Sequence, residues 1–366
     1  MTTIQQNTDL EKEKTRKGLP VIDCDIHEMP VSVFDLLPYM EEPWRGYLER
    51  GQWQPKRLPY TWPLPGGVDR LDLKNDDKNW FAGTDFNLMK REVLDKYNIK
   101  YAILTSLFYP SDTPKAVQPE FRNALASAYN DWVIENWLTK DDRLRGSICI
   151  NTRDPKAAAQ EIDRVGSHPK IVQIMMPVLY DVEFGDPYFH PIYEAAERNN
   201  LRISMHQSTD TQPAGGYPTY YMQWHTTMPQ NFMTQIVSLI THGVFEKYPS
   251  LGFICLESGF TWLPHLMWRF DVNYRSLRRE VPWLTKNPSE YIRKHFRFST
   301  QPMDDPEDAK QLLQIIDMIG PEMLVFSTDY PHWDFDDPYR AYPSIFPKEL
   351  KQRLLYDNAR EFYGFE

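Results

Sequence analysis

Cysteine is scarce in this sequence: only Cys24, Cys149 and Cys255 occur, each inside an apolar run that reads as a buried strand. Three such residues form neither a disulfide framework nor a zinc-ribbon spacing, so a reducing cytoplasm is expected, with each thiol a small buried hydrophobe. Long hydrophobic runs are missing too. No stretch approaches the roughly 18 apolar residues of a membrane span, and mean hydropathy is −0.59. Positive charge is in deficit, with 41 Lys and Arg against 51 Asp and Glu, a net charge of −10 and no long basic run. A nucleic-acid surface is thereby excluded. The opening MTTIQQNTDLEKEKTRK lacks the apolar core of a signal peptide. Residues 1–18 read as a disordered tail ahead of a single domain, 19–366. No G-x-G-x-x-G follows the first apolar run, and no internal repeat is present.

What the chain does have is alternation. Short apolar runs (20–28, 100–106, 145–151, 170–177, 201–207, 251–258, 296–300 and 323–329) are separated by longer stretches with apolar residues three and four apart. Those stretches include FRNALASAYNDWVIENWL, DPKAAAQEIDRVG, NFMTQIVSLITHGVFEKY and LPHLMWRFDVNYRSL, and PKELKQRLLYDNAREFYGF closes the chain. Eight strands buried on both faces, most followed by a helix, predict an α/β fold, a (β/α)8 TIM barrel. Two segments break the alternation. Residues 38–90 and 208–230, rich in Pro, Gly and aromatics, are expected to be long insertions after strands one and five, at the face where barrels build active sites.

The titratable residues gather at strand ends. In VIDCDIHEMP, Asp25 and His27 alternate at the end of strand one; His206 ends strand five and Asp329 strand eight, with His332 three residues on. Burying these groups without partners would cost several kcal/mol, a cost that one divalent cation removes for all of them. Asp23 lies deeper in the strand and is expected to support the site from behind. Glu28 should face away.

VIDCDIHEMP, SMHQ, THGVFEKYPSLGFICLESGFTWLPHLMWRFD, FSTDYPHWD and the terminal DNAREFYGF together resemble the amidohydrolase superfamily. Within it they resemble the amidohydrolase-related branch that includes aminocarboxymuconate semialdehyde decarboxylase and γ-resorcylate decarboxylase. The resemblance covers essentially the whole chain after residue 19. It implies one divalent metal ion held by Asp25, His27, His206 and Asp329, with Asp25 departing from the His or Glu usual at that place. Two His and two carboxylates suit zinc first, and also manganese or magnesium. Relatives of this branch often carry a catalytic His at the end of strand six. Here FICLESGF places Glu257 there, either as a proton shuttle or as a buried acid bonded to backbone or to Arg269.

The expected catalytic set is Glu257, Asp329 and His332, and His225, Trp262 and Tyr221 are expected to bind the substrate. The wider aromatic supply (Trp44, Trp53, Trp62, Trp80, Tyr220, Trp224 and Trp333) favours a flat, apolar small molecule. The leading functional expectation is a hydrolase that uses metal-activated water on an amide, ester, lactone or activated C–C bond. The alternative is a non-oxidative decarboxylase of an aromatic or muconate-type acid, and the third reading is a non-catalytic binding barrel. A homodimer or larger homo-oligomer is implied by the resemblance, with no nucleic-acid or membrane partner.

Overall fold

The computed structural model describes residues 18–51, 69–73, 81–106, 118–178, 182–207 and 219–366. The expected tail and the expected rings Trp53, Trp62 and Trp80 lie outside these. So do residues 52–68 and 74–80 of the first expected insertion and 208–218 of the second.

All eight expected strands form: β1 (Val21–Ile26), β2 (Ile99–Leu104), β3 (Leu144–Cys149), β4 (Ile171–Pro177), β5 (Arg202–His206), β6 (Phe253–Cys255), β7 (Phe296–Ser299) and β8 (Leu324–Val325). Each pairs in parallel with the next, in sequence order. The chain just beyond β8 closes the ring. Cys24 N–H donates to Phe326 O at 3.0 Å, Asp329 N–H to Asp25 O at 3.1 Å and His27 N–H to Tyr330 O at 2.8 Å. The architecture is the (β/α)8 barrel.

Asp23 staples this seam. Fully buried, it accepts from Thr328 N–H at 2.9 Å and from Thr328 Oγ1 at 2.6 Å. Burial pushes its carboxyl up to about 7 against the pull of those bonds. The pairing of β1 with β2 slips between Asp23 and Ile26. Such an irregularity re-aims side chains, and here Asp23 holds strand eight while Asp25 and His27 meet His206 across the barrel.

The other end of the barrel is closed by apolar and cationic stacking. Ile22, Cys24, Ile103, Ile254, Leu256 and Val325 cluster with Ala359 and Phe362 of the last helix, Asn358–Tyr363. Arg145 covers Tyr101 and Phe365, while Arg202 and Arg297 both lie over Phe362, at 5.0 and 5.4 Å. Cys24, Cys149 and Cys255 are free and buried, as their apolar surroundings suggested. Among the described residues no helix is long and apolar enough to cross a membrane.

Three local expectations are corrected. The helix expected through 231–248 divides into Pro229–Thr241 and Val244–Lys247 because Gly243 adopts φ 71°, a left-handed step that glycine takes without penalty. A helix at Pro288–His295 precedes β7, with Pro inside its first turn and a capping box between Asn287 and Glu290. Its short apolar face was hidden by charge. Trp44 packs on Tyr47 and on Phe121 of the helix Pro119–Val133, with ring centroids 5.9 Å apart in each pair, and so belongs to the packing of the first insertion.

His295, at the end of its helix, is 3% exposed, stacks on Phe245 at 4.2 Å and hydrogen-bonds Leu251 O through Nδ1 at 2.8 Å. Burial holds it down at about 4. The unfolded chain titrates near 6.5 and so binds this proton first. The histidine's contribution is whole above that pH and is lost as pH falls from about 6.5 toward 4, amounting to about 2–3 kcal/mol by pH 4.5. Urea midpoints at pH 7 and 4.5 should therefore fall further for the wild type than for His295→Gln. Parallel losses would exclude His295 as the source.

Candidate metal centre

Five of the candidate side chains meet at the C-terminal mouth of the barrel, where the strands deliver them. Asp25 and His27 come from the end of β1 and His206 is the last residue of β5. Glu257 stands two residues past β6, and Asp329 four past β8. Glu257 and Asp329 have φ of 51° and 57°. A non-glycine residue in this region costs on the order of 1–3 kcal/mol and is kept where surrounding structure demands it. Both strained residues are carboxylates of the cluster.

Ring centroids of His27 and His206 are 5.2 Å apart, and those of His27 and His332 4.7 Å. His206 Nε2 lies 3.4 Å from Asp25 Oδ2 and 3.8 Å from Glu257 Oε1. Asp329 Oδ1 is 2.8 Å from His27 Nε2 and 2.7 Å from His332 Nδ1, which is itself 3.5 Å from Glu257 Oε1. Two overlapping sets of donors, each with its atoms within 4.8 Å of one another, result: Asp25, His27, His206 and Glu257, and His27, Glu257, Asp329 and His332. Glu257 thus enters the first set with the three expected donors, and Asp329 stands in the second. Arg269, the alternative partner considered for Glu257, is exposed, and the carboxylate faces histidines instead.

The electrostatics follow from three acids crowded into a dry space. Burial raises Asp25, but His206 and His27 outweigh it and hold the carboxyl below the usual range. Burial is likewise overcome at Glu257, held low by His206 and His332. Asp329 remains pushed up to about 6, by burial first, with His332 pulling down and Glu257 pushing up. The imidazoles respond in reverse. Burial disfavours their charged forms, yet Glu257 and Asp25 raise His206 to about 10, and Asp329 and Glu257 raise His332 well above its ordinary value. Imidazoles that hold protons this firmly report negative charge lacking a cation.

The donor set fits a divalent ion. Asp25 Oδ2 and His206 Nε2, both buried and facing each other, have no hydrogen bond of normal geometry. Their other atoms are already oriented: Thr105 Oγ1 donates to Asp25 Oδ1, His27 Nδ1 bonds Thr105 O at 2.7 Å, and His206 Nδ1 bonds Gln207 O at 2.5 Å. Each imidazole is thereby anchored through Nδ1 and turns Nε2 into the cluster, that of His27 toward Asp329 Oδ1 and that of His206 without a partner, the arrangement that fixes metal-binding histidines elsewhere. Thr105, Gln207 and Gln301 escaped sequence reasoning. Their only signal is position, one or a few residues past β2, β5 and β7.

At the rim, the short helix Tyr221–Thr227 carries His225 on an element where an irregular insertion was expected. His225 Nε2 bonds Asp334 Oδ2 at 3.2 Å, and its ring lies between Tyr221 and Trp333, at 5.6 and 5.5 Å. Trp262 is engaged differently: its indole donates to Ser258 O at 2.9 Å and its ring meets Phe298 edge-on, holding the turn after β6. Glu28 is in neither donor set. Burial lifts it to about 8, and Tyr129 hydrogen-bonds it. His242 bonds Ser238 O at its helix end and His265 is exposed, both structural positions.

The sequence profile of the amidohydrolase family, described as "Amidohydrolase", matches residues 22–365. The chain belongs to the amidohydrolase family. Among characterised relatives, γ-resorcylate decarboxylase of Rhodococcus jostii is 25% identical over 298 residues, covering 70% of this chain and 84% of that one. The 2-amino-3-carboxymuconate-6-semialdehyde decarboxylase of Dictyostelium discoideum is 28% identical over 261 residues, 68% of this chain and 69% of that one. These are the branch that the motifs pointed to. The barrel also superposes on 5-carboxyvanillate decarboxylase of Novosphingobium aromaticivorans, solved with manganese and 4-hydroxy-3-methoxy-5-nitrobenzoic acid. There the TM-score is 0.69 at 18% identity, over 95% of this chain and 97% of that one. An amidohydrolase of Mycobacterium avium subsp. paratuberculosis gives 0.70 at 18%, over 94% and 99%.

The Thr105 hydroxyl bonds Asp25 and also lies 3.1 Å from His27 Nδ1, so removing it should loosen both donors, Asp25 the more because His27 keeps the Thr105 carbonyl. Thr105→Val is expected to weaken divalent-ion affinity by about 10- to 100-fold, read by titration against a competing chelator, with the fold intact by circular dichroism. Unchanged affinity would exclude Thr105 from the site's support.

Proposed function

We propose that this protein is a metal-dependent, non-oxidative decarboxylase of a small aromatic carboxylic acid of the hydroxybenzoate type. The observation that carries the reading is that Asp25, His27, His206 and Glu257 already make a donor set. Asp329, paired with His332 at 2.7 Å, is left at the edge of that set to carry a proton. A divalent ion in the set would bind the substrate's carboxylate and a neighbouring hydroxyl, and so hold the ring against the acid. Zinc was the first expectation. Manganese in the solved relatives widens the choice, and two imidazoles with carboxylates accept either.

Burial pushes the Asp329 carboxyl up from its ordinary value, the direction a general acid needs. It donates its proton to the ring carbon that bears the carboxylate. The carbon–carbon bond then breaks, its electron pair returns to the ring, and carbon dioxide leaves. One proton is consumed for each carboxylate lost, and solvent restores it to Asp329. His332 holds the Asp329 carboxyl in place, and Tyr221, His225 and Trp333 offer flat faces at the rim.

Hydrolysis, the leading expectation from the residues alone, has less support. It needs Glu257 as a base, but that carboxylate stands in the donor set with Asp25, His27 and His206 and faces the neighbouring histidines. The relatives of Rhodococcus jostii and Dictyostelium discoideum named above are decarboxylases.

The test is incubation of the manganese-loaded protein in D2O with dihydroxybenzoates and 5-carboxyvanillate, alongside aryl esters and lactones. The expected products are carbon dioxide and a phenol with one deuterium at the carbon that lost the carboxylate. Cleavage of the esters or lactones with no loss of carboxylate from any acid would overturn the reading. Asp329→Asn should lower kcat by about 10²- to 10⁴-fold while retaining metal, and His206→Ala should lose the metal itself.

A further inference from the structure

One buried side chain joins the cluster to the aromatic rim, and neither the donor sets nor the proton transfer accounts for it. Gln301 is fully buried just past β7. Its Nε2 donates to Asp329 Oδ2 at 2.9 Å and to Asp334 Oδ2 at 3.0 Å. The same Asp334 oxygen accepts from His225 Nε2 at 3.2 Å. Trp333, next to Asp334, donates from Nε1 to the Tyr221 hydroxyl at 3.3 Å. A continuous line of bonds therefore runs from the acid, through one amide, to the helix Tyr221–Thr227.

The orientation of the amide is dictated by chemistry. Oδ2 of Asp329 and Oδ2 of Asp334 both accept from the NH2 end and leave the carbonyl outward. Gln301 Oε1 is accordingly buried without a partner. A residue kept for packing would do better as an apolar side chain than with an unsatisfied carbonyl. Its backbone is fixed as well: Gln301 N–H donates to Ser299 Oγ at 3.1 Å, and Ser299 hydrogen-bonds Ser327, two residues past β8. The amide thus stands on a rigid base between two carboxyl groups.

We propose that Gln301 is the positioning residue for the Asp329 acid, locking its Oδ2 and setting its distance from the aromatic wall through Asp334 and His225. Substrate stacked on His225 and Trp333 is then held in register with the proton it must receive. The helix Tyr221–Thr227 lies in register because Asp334 is shared, not because it touches Asp329. The kinetic part of this proposal rests on the decarboxylase reading. Its structural part does not.

The test pairs Gln301→Met, which keeps size and removes the donor, with Asp334→Ala, which leaves the glutamine and breaks the second half of the line. In Gln301→Met, kcat for carboxylate release should fall about 10- to 100-fold with KM little changed, as expected for misplacement of a reacting group, and metal content should match the wild type. Amide hydrogen exchange across residues 221–227 should quicken several-fold in both variants. Exchange unchanged in both would overturn the proposal, as would kcat, metal content and melting temperature all falling together, the mark of a structural role. If the wild type releases no carboxylate from any acid, the decarboxylase reading fails. The exchange experiment then decides the role of Gln301 by itself, faster exchange supporting it and unchanged exchange refuting it. Should Gln301→Met fail to fold, Asp334→Ala carries the same two readouts.

Discussion

The mouth of this barrel is organised by a single electrostatic problem: Asp25, Glu257 and Asp329 are brought together in a largely buried cluster. Unpaired carboxylates there would be too costly to keep. The protein's own answer is to surround them with His27, His206 and His332, whose imidazoles are driven toward the protonated form by that charge. A divalent ion can replace those protons, and metal binding then releases them. The same crowding that creates the ion's place pushes Asp329 up toward neutrality. In the proposed function, binding and proton transfer therefore draw on one source of charge.

The scaffold serves that cluster at each level. Parallel strands present their C-terminal ends at one rim, which allows residues hundreds of positions apart to share one volume. The Asp23–Thr328 bonds close the seam directly beneath Asp25 and Asp329 and fix the two strand ends relative to each other. At the opposite end, arginines stacked on Phe362 and Phe365 close the barrel with no ligand-like chemistry. Stability sits at one end and reactivity at the other. The left-handed backbone at Glu257 and Asp329 marks where the first is drawn on for the second.

Much of this was legible along the chain because the relevant signals are local. The apolar runs that become β1 to β8 were readable from composition, since a strand buried on both faces has no need to alternate. Gly243 splitting a helix and Pro288 opening another were less so, because a short helix with mixed charge carries little periodicity. Asp25, His27, His206 and Asp329 were readable because acids and imidazoles at strand ends are hard to explain by packing. Thr105 and Gln301 were not. A threonine or glutamine at a strand end has many ordinary uses, and only its partners distinguish them.

The sequence by itself determined the barrel, its strand order, the family and four of the residues that converge, because each depends on composition and spacing within a short window. Tertiary structure alone decided how they are grouped. It drew Glu257 into the set with Asp25, His27 and His206, left Asp329 with His332 at its edge, and joined both to the rim through Gln301 and Asp334. The reason is distance. Whether a carboxylate is a ligand, a base or an acid depends on which charges lie within a few ångströms, and those charges arrive from strands that the sequence keeps far apart.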